Sequence, residues 1–421
     1  MLTRRACAPR ALLPGIVVIV CSALILSVSA PVGAQGSVRG FDGSTITVAG
    51  YGIKSQLPSL GVSAAARFKR FNDTNEIKGV KIKTTEFADD GQDPATALSI
   101  ARRLVTQTGV FAIVPEASGV TPGTYLTQQK VPWFGGGFSG AYCSPKPSTK
   151  VWGFGPAGCY VPQDPSFVTD DFHNTYTYVV KKTGKKHPTF TIIGNDNLSG
   201  KNVARIYAIG ATGVGFKVVS TLPTVPPTAS DYTPYAQQLL TSDNGHAPDV
   251  IFCSMATQCL NVWGLLSAGG YNGTYFHGLY TDILVKAFKG SYAITAYADF
   301  TSSSPGLDQL RKDLNAYQAG AGDKLDFGSV IGYAAADMFV TALKKVAAKG
   351  KSNITPANVQ KAASTMQWSL SGFMKVSYPK ATVMTFPQCN TLNLSTGTAW
   401  EPVATLSCST RTYSPKLKVG G

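Results

Sequence analysis

Six cysteines beyond the N-terminal segment have the most definite chemistry in this chain: Cys143, Cys159, Cys253, Cys259, Cys389 and Cys408. The spacing of Cys253 and Cys259 is too wide for a zinc-binding cysteine pair, and no second tight Cys or His pair accompanies it. We therefore expect no metal site. An even number of cysteines in an exported chain predicts disulfides, and pairing each cysteine with its nearest neighbour is the simplest connectivity.

Two short motifs are similar to those of enzymes. The run Gly153–Gly158 has the glycine spacing of a dinucleotide-binding loop, but Pro156 and the prolines that follow leave no helix N-terminus for a pyrophosphate. The segment Gly137–Ala141 approaches a nucleophile elbow around Ser139, although no histidine has a local signature as its base. We expect no cofactor and no enzyme activity, and a secreted serine hydrolase is the weakest alternative.

The N-terminus has the pattern of a secretory signal. Arg4, Arg5 and Arg10 precede an apolar run over residues 16–28, and small residues follow up to Ala34. This pattern predicts a signal peptide over residues 1–34 and an exported chain, in the periplasm or cell envelope. The alternative is an uncleaved anchor, because the apolar stretch from Ala11 to Ala30 is nearly long enough to span a bilayer.

Composition excludes several classes of protein. The chain of 421 residues is 44% hydrophobic and only 14% charged, which argues for globular cores and against coiled coils. Its net charge is +15, and the densest basic cluster, Lys181–His187, lacks the interleaved aromatic residues of a single-strand nucleic-acid site. We expect no nucleic-acid partner.

Strand and helix periods alternate along the chain. Residues 45–51, 80–87, 111–114 and 131–134 have strand character, and helical patterns lie between them, including one over Ser118–Gln129. After a glycine- and proline-rich break at 135–165 the alternation resumes from Phe190 to His277, with a helix predicted over Lys201–Gly210. The last ~50 residues are typical of strands and hairpins. The pattern predicts an α/β fold of two doubly wound parallel-sheet lobes. Ligands of such folds bind beyond the carboxyl ends of the strands, in loops such as the one that holds Gln56.

Several segments together resemble the leucine/isoleucine/valine-binding family of type I periplasmic solute-binding proteins: Asp89–Pro94, Ala101–Val105, Ala112–Val114, Glu116–Thr121, Val131–Phe134, Ile193–Asp196, Ser199–Lys201 and Gly332–Ala336. The resemblance covers most of the chain beyond the signal segment. It implies a three-strand hinge, with residues 36–153 and 294–366 in lobe 1 and residues 154–293 and 367–421 in lobe 2. It also implies a monomeric receptor that closes on a small solute and delivers it to the membrane permease subunits of an ABC importer.

The resemblance also assigns candidate ligand-binding residues in the first lobe. The family's serine at the start of the helix after the third strand falls on Ser118, beside Gly119, and a second loop falls on Phe138 and Ser139. Ser118 would offer a hydroxyl and helix N–H groups to an acceptor such as a carboxylate, or would be only an N-cap. Glu116 stands where the family has a small residue, and it is either a specificity group or a solvated loop charge.

The second lobe departs from the family pattern. The family's aromatic residue falls near Leu198 and Ser199, and its acid for an α-ammonium falls near Tyr280, two positions before Asp282. Leu198, Met255 and Tyr280 together predict a more apolar wall in the second lobe. We expect a carboxylate or neutral solute with an apolar body, and weak binding of simple branched-chain amino acids. A two-lobed sensory ectodomain is the alternative function.

Overall fold

A computed structural model describes residues 38–143, 150–156, 158–160, 166–219, 223–226, 229–373 and 389–419, apart from the side chain of Leu198. The predicted signal segment, and with it the cleavage site, lies outside the described residues. In the described part of the chain, no helix is both long and apolar enough to cross a membrane.

The first half of the chain forms one parallel sheet with flanking helices. Its described elements are β1 (Thr45–Gly52), α1 (Ser59–Asp73), β2 (Lys81–Asp89), α2 (Pro94–Thr106), β3 (Ala112–Ala117), α3 (Gly123–Gln128), β4 (Trp133–Gly135) and β5 (Gly153–Phe154). The strand order is β2-β1-β3-β4-β5, and each neighbouring pair is parallel. At the α2 start, Asp93 accepts a hydrogen bond from the Thr96 N–H at 2.7 Å, as the Asp-Pro pair predicts.

The second half repeats this alternation and ends in antiparallel strands. Its described elements are β6 (Val168–Thr169), α4 (His173–Thr183), β7 (Thr189–Asn195), α5 (Leu198–Val214), β8 (Lys217–Val218), β9 (Thr224–Val225), α6 (Thr233–Leu240), β10 (Val250–Cys253), α7 (Gln258–Ala268), β11 (Thr274–His277), β12 (Tyr292–Thr295), α8 (Pro305–Tyr317), α9 (Phe327–Ala347), α10 (Pro356–Thr365), β13 (Cys389–Ser395), β14 (Trp400–Cys408) and β15 (Thr412–Tyr413). The main path of this sheet is β14-β13-β12-β11-β10-β7-β8, in which β13 is antiparallel to both its neighbours.

The helix α9 belongs to the core of the first sheet although it follows the second sheet in the chain. It begins at Phe327 because Asp326 and Ser329 form a reciprocal capping box. Its Phe339 ring contacts Phe68, Phe111 and Phe134, with ring centroids 5.4–6.3 Å apart. The chain therefore returns to the first sheet before β13 and β14 rejoin the second.

The three predicted disulfides are confirmed. Cys143 pairs with Cys159, Cys253 with Cys259, and Cys389 with Cys408. Each bridge closes a short loop, and the middle bridge joins the end of β10 to the first turn of α7. The last bridge links β13 to β14. Strand β14 is the antiparallel edge strand of the second sheet.

Two predicted elements differ from the structure. The helix predicted over Ser118–Gln129 begins only at Gly123 and has six residues. It starts late because side chains take up the N–H groups of residues 118–120 and hold that segment as a turn. The helix predicted to begin at Lys201 starts three residues earlier, because the Asn197 side chain caps it by accepting from Gly200 N at 2.7 Å.

Candidate functional site

A cavity of about 420 Å³ lies at the carboxyl ends of strands from both sheets. From the first sheet it is lined by residues that follow β1, β3 and β4, including Ile53, Val120 and Phe138. From the second sheet it is lined by residues that follow β7, β10 and β11, including Asn197, Ala256 and Leu279. This is the position at which parallel α/β sheets bind ligands.

Five of the predicted ligand-binding residues line this cavity: Gln56, Gly119, Phe138, Ser199 and Met255. At Gly119 the chain passes close to Gln92, and a Cβ there would lie 2.7 Å from Gln92 Oε1. The same Gln92 oxygen accepts the Gly119 N–H at 3.1 Å. The contact fixes the loop after β3 against the loop after β2.

Glu116 and Ser118 lie behind the cavity wall rather than on it. Both side chains are 0% exposed. The Glu116 carboxyl accepts hydrogen bonds from Thr121 Oγ1 at 2.9 Å, from Ser118 N at 3.1 Å and from the Tyr142 hydroxyl. Strand β4 can approach this acid closely because Gly135 has no Cβ, which would otherwise collide with the Glu116 main chain. Neither reading of Glu116 from the sequence, a specificity group or a solvated charge, fits this buried position.

Burial raises the pKa of Glu116 from its ordinary 4.5 to about 8, against the hydrogen bonds from Tyr142, Thr121 and Ser118, which lower it. The acid in turn raises the pKa of the Tyr142 hydroxyl, which burial has already raised. The carboxyl and its three donors form a closed polar cluster under the loop 117–121.

The loop after β3 has no unbonded main-chain N–H at its three central positions. Ser118 N donates to Glu116 Oε1, Gly119 N donates to Gln92 Oε1, and Val120 N donates to Ser118 Oγ, each at 3.1 Å. The sequence predicts that Ser118 presents a hydroxyl and helix N–H groups to a ligand acceptor. That prediction is wrong in its geometry, because the helix begins five residues later and these donors are used within the protein.

Tyr280, Asp282 and Ser139 also lie outside the cavity lining. The Tyr280 ring packs between Trp400 of β14 and Phe300, with centroids 5.2 and 4.6 Å away. Asp282 is partly exposed, and its Oδ2 lies 3.9 Å from Lys324 Nζ. Trp400 of β14 thus packs on Tyr280 and helps to bury it in the core. The sequence periodicity did not indicate this contact between Tyr280 and Trp400.

Ser139 is buried, and its Oγ has no hydrogen-bond partner among the described residues. It therefore shows none of the histidine contact that a serine nucleophile requires. The backbone of Leu198 begins α5 at the cavity edge, whereas its side chain lies outside the described residues.

The sequence did not indicate the polar end of the cavity. Asp171, Asn390, Tyr160 and Tyr207 line it together. Asp171 follows the proline-rich break that the composition marks only as a hinge, and Asn390 comes from β13, more than 200 positions later in the chain. The one available signal was the adjacent pair Asp170-Asp171 directly before an amphipathic helical pattern.

Asp171 has few internal partners. Its Oδ1 accepts a hydrogen bond from Thr169 Oγ1 at 3.1 Å, and its main-chain oxygen accepts one from Asn390 Nδ2. Burial raises the pKa of its carboxyl well above the ordinary 3.8, and the neighbouring Asp170 raises it further. Over the described residues, Asp171 forms no ion pair.

Aromatic rings make up much of the remaining wall. Phe138 lies 5.9 Å from both Tyr160 and Phe327, measured between ring centroids. On the second sheet, the Tyr207 ring lies 5.3 Å from Phe172 and 5.1 Å from Phe252. The cavity lining therefore combines aromatic and aliphatic side chains with polar ones, which include Gln56, Asn195 and Gln258. This is the usual composition of a small-molecule site. Within the described ranges, no group of His, Cys, Asp and Glu could hold a metal ion.

Comparison with solved structures finds proteins of the same fold. A fatty acid ABC transporter substrate-binding protein from Thermomonospora curvata is 17% identical, with a TM-score of 0.69 over 91% of this chain and 97% of its own. A branched-chain amino acid ABC transporter protein from Thermus thermophilus, with bound valine, is 15% identical, with a TM-score of 0.65 over 87% and 96%. A solute-binding protein from R. palustris in complex with 4-hydroxybenzoate is 16% identical, with a TM-score of 0.64 over 87% and 98%.

A search of curated protein sequences gives no match. The sequence profile of the periplasmic binding protein family, in contrast, matches residues 47–385, a range that includes β2 to β12 and most of the cavity lining. The position of the cavity and the order of the strands agree with that match. The chain belongs to the periplasmic binding protein family.

Proposed function

We propose that this protein is the extracytoplasmic solute receptor of an ABC importer, and that it binds one small organic molecule with a sizeable apolar body. The observation that carries the proposal is the cavity of about 420 Å³ to which loops from both sheets contribute. Family membership supports it, and so does the range of solutes named for proteins of the same fold: a fatty acid, valine and 4-hydroxybenzoate.

The proposal includes export. The N-terminal charge, apolar run and small-residue exit favour removal of residues 1–34, after which the receptor would meet the permease subunits at the outer face of the membrane. Intact-mass spectrometry of the secreted chain is expected to show a new N-terminus near Ala34. A secreted chain that retains Met1 would contradict this part of the proposal.

The direct test is a thermal-shift screen of the mature protein against small apolar acids, amines, alcohols and amino acids, followed by calorimetry on the compounds that stabilise it. Ala256, which lines the cavity at the start of α7, is changed to Trp to fill the space. Exposed Ala348, at the end of α9, is changed to Trp as the matched control. We expect Ala256→Trp to abolish binding and Ala348→Trp to leave it intact, and equal binding by both variants would contradict the proposal.

Closure is the second expectation. A ligand that contacts loops from both sheets stabilises the arrangement in which those loops approach each other, so binding shifts the population towards a closed form. Small-angle scattering is expected to give a smaller radius of gyration with a confirmed ligand. Identical profiles with and without that ligand would count against a hinge mechanism.

A further inference from the structure

The polar end of the cavity is rich in hydrogen-bond acceptors. The Asp171 carboxyl lines the cavity, and its Oδ1 accepts a hydrogen bond from Thr169 Oγ1 at 3.1 Å. Asn390 donates its Nδ2 to the main-chain oxygen of Asp171, which leaves Asn390 Oδ1 as a buried acceptor without a partner in the described structure. A buried acceptor such as Asn390 Oδ1 requires a donor from a ligand or from water.

No basic side chain compensates for that acid. Among the described residues that line the cavity there is no Lys, Arg or His. The ionisable side chains in that lining are Asp171 and the tyrosines. An anionic solute would therefore enter beside a carboxyl group without a counter-charge, which is costly in a site removed from water.

The first sheet offers an anion little help. The N–H groups of Ser118, Gly119 and Val120 are all bonded within the protein, so this loop does not form a carboxylate cradle. The N-terminus of α5, whose first turn borders the cavity, is a feature that favours an anion. The Asn197 side chain that caps this helix already accepts a hydrogen bond from Gly200 N. The adjacent Asp196 carboxylate forms an ion pair with Lys201, with Oδ1 and Nζ 2.5 Å apart.

We infer that the solute carries a positively charged amine on an apolar body, and that Asp171 is the residue that pairs with this charge. The inference rests on the proposed function and specifies its ligand class. It replaces the carboxylate or neutral solute that the sequence predicts, because that prediction relied on Ser118 and Ser139 as hydroxyl donors and neither lines the cavity.

The aromatic wall next to Asp171 suits the same ligand. Phe172 directly follows the acid, and its ring contacts those of Tyr207 and Phe252 in edge-to-face geometry, at 5.3 and 5.7 Å. Aromatic rings beside a carboxylate stabilise ammonium groups through their quadrupoles while they pack against the attached carbon skeleton. A zwitterionic amino acid would satisfy Asp171 but would bring its own carboxylate into a lining without Lys, Arg or His among the described residues.

A matched series of four compounds separates the ligand classes: 2-phenylethylamine, 2-phenylethanol, 3-phenylpropanoate and phenylalanine share one ring and differ in charge. The series 3-methylbutylamine, 3-methylbutanol, 4-methylpentanoate and leucine repeats the comparison with a smaller body. Binding is measured by calorimetry on the full mature chain. We expect the amine of at least one series to bind at least tenfold more tightly than its alcohol, acid and amino acid.

Asp171→Asn keeps the shape of the side chain and removes its charge, and it is expected to lower amine affinity at least tenfold. Asp73→Asn, on the exposed end of α1, is the matched control and is expected to leave affinity unchanged. If Asp171→Asn fails to fold, the inference is tested instead with Asp171→Glu and with the pH dependence of amine affinity in the wild-type protein. Asp171→Glu is expected to keep the preference for the amine over the alcohol.

The pH profile gives a readout that a structural role would not produce. Because the pKa of Asp171 is raised, amine affinity is expected to rise with pH as this group loses its proton, whereas affinity for a carboxylate would fall. The charged or titratable groups around Asp171 are Asp170, Tyr160, Tyr207, His173 on α4 and Arg411, whose main chain contacts Asp170. Asp171→Asn is expected to flatten the slope.

Several outcomes would overturn the inference. An acid or alcohol that binds more tightly than its matched amine, binding of neither amine, or amine binding that Asp171→Asn leaves intact would each do so. If Ala256→Trp still abolishes binding of that acid or alcohol, the proposed receptor function stands while the amine inference fails. If no compound of the screen stabilises the chain, the receptor proposal itself fails.

Discussion

Glu116 in the first half of the molecule is buried and Asp171 in the second half is partly buried, and these two acidic side chains differ in their surroundings. Glu116, on the first sheet, accepts hydrogen bonds from three donors and is fully enclosed. Asp171, at the edge of the second sheet, accepts one side-chain bond and borders the cavity. Burial raises the pKa of both groups. A buried acid whose donors all come from the protein stabilises the fold, whereas one that lacks donors is left for a ligand.

The largest effect that we expect from the contrast between Glu116 and Asp171 is on the pH dependence of the free energy of unfolding. The pKa of Glu116 is raised from 4.5 to about 8, so the folded chain retains a proton that the unfolded chain releases. The contribution of this proton is complete below pH 4.5 and is lost as pH rises to about 8, by up to about 5 kcal/mol. Urea unfolding from pH 5 to 9 is expected to show a smaller fall for Glu116→Gln than for wild type. Parallel curves for the two proteins would refute the assignment to Glu116.

Truncation of the same acid is expected to give the next largest effect. Glu116→Ala removes the acceptor for Tyr142, Thr121 and Ser118 N and leaves a cavity, at a cost of about 3 kcal/mol in the free energy of unfolding at pH 7. Glu116→Gln, which keeps an acceptor oxygen, is the control and should cost much less. Equal losses in both variants would show that an acceptor oxygen at this position does not account for the stabilisation of the loop 117–121.

One donor of the cluster can be removed singly. Tyr142→Phe deletes the hydroxyl that bonds Glu116 while it keeps the ring that packs edge-to-face on Trp133, at a centroid distance of 6.2 Å. We expect a loss of about 1 kcal/mol, the net contribution of a typical hydrogen bond. The double variant Glu116→Gln, Tyr142→Phe should show a non-additive loss in urea unfolding. Strict additivity would show that the two side chains do not interact.

The smallest expected change is at the other acid. Asp171→Asn keeps an acceptor for Thr169 Oγ1 and removes a poorly solvated charge, so the free energy of unfolding should change by less than about 1 kcal/mol or increase. Ligand-free protein is used for the measurement. A loss as large as that of Glu116→Ala would remove the contrast between the two acids and make Asp171 a structural residue.

Much of the fold could be predicted from the sequence. The Asp93-Pro94 pair begins α2 as predicted, the three neighbouring cysteine pairs form bridges, and the alternation of strand and helix patterns gives two parallel sheets. These features depend on residues close together in the chain. The cavity position was predictable to the same extent, because the carboxyl ends of parallel strands meet at one edge.

The position of a residue after a strand predicted only some of the individual site residues. Gln56, Gly119, Phe138, Ser199 and Met255 reach the cavity because they directly follow strands. Ser118 also follows a strand, but its neighbours Glu116 and Gln92 determine which way its loop faces. Tyr280 is buried by Trp400, and Asp171 meets Asn390, in each case a partner more than 100 positions away.

The sequence by itself determined the elements, their order and the edge of the sheets at which a ligand binds, because hydrophobic period, caps and short disulfide loops are local. Only the tertiary structure decided which acid is enclosed by donors and which one borders the cavity. That difference depends on the number of donors around each carboxyl. Tyr142 reaches Glu116 from 26 positions along the chain and Asn390 reaches the Asp171 main chain from 219 positions, and the identity of neither acid specifies those contacts.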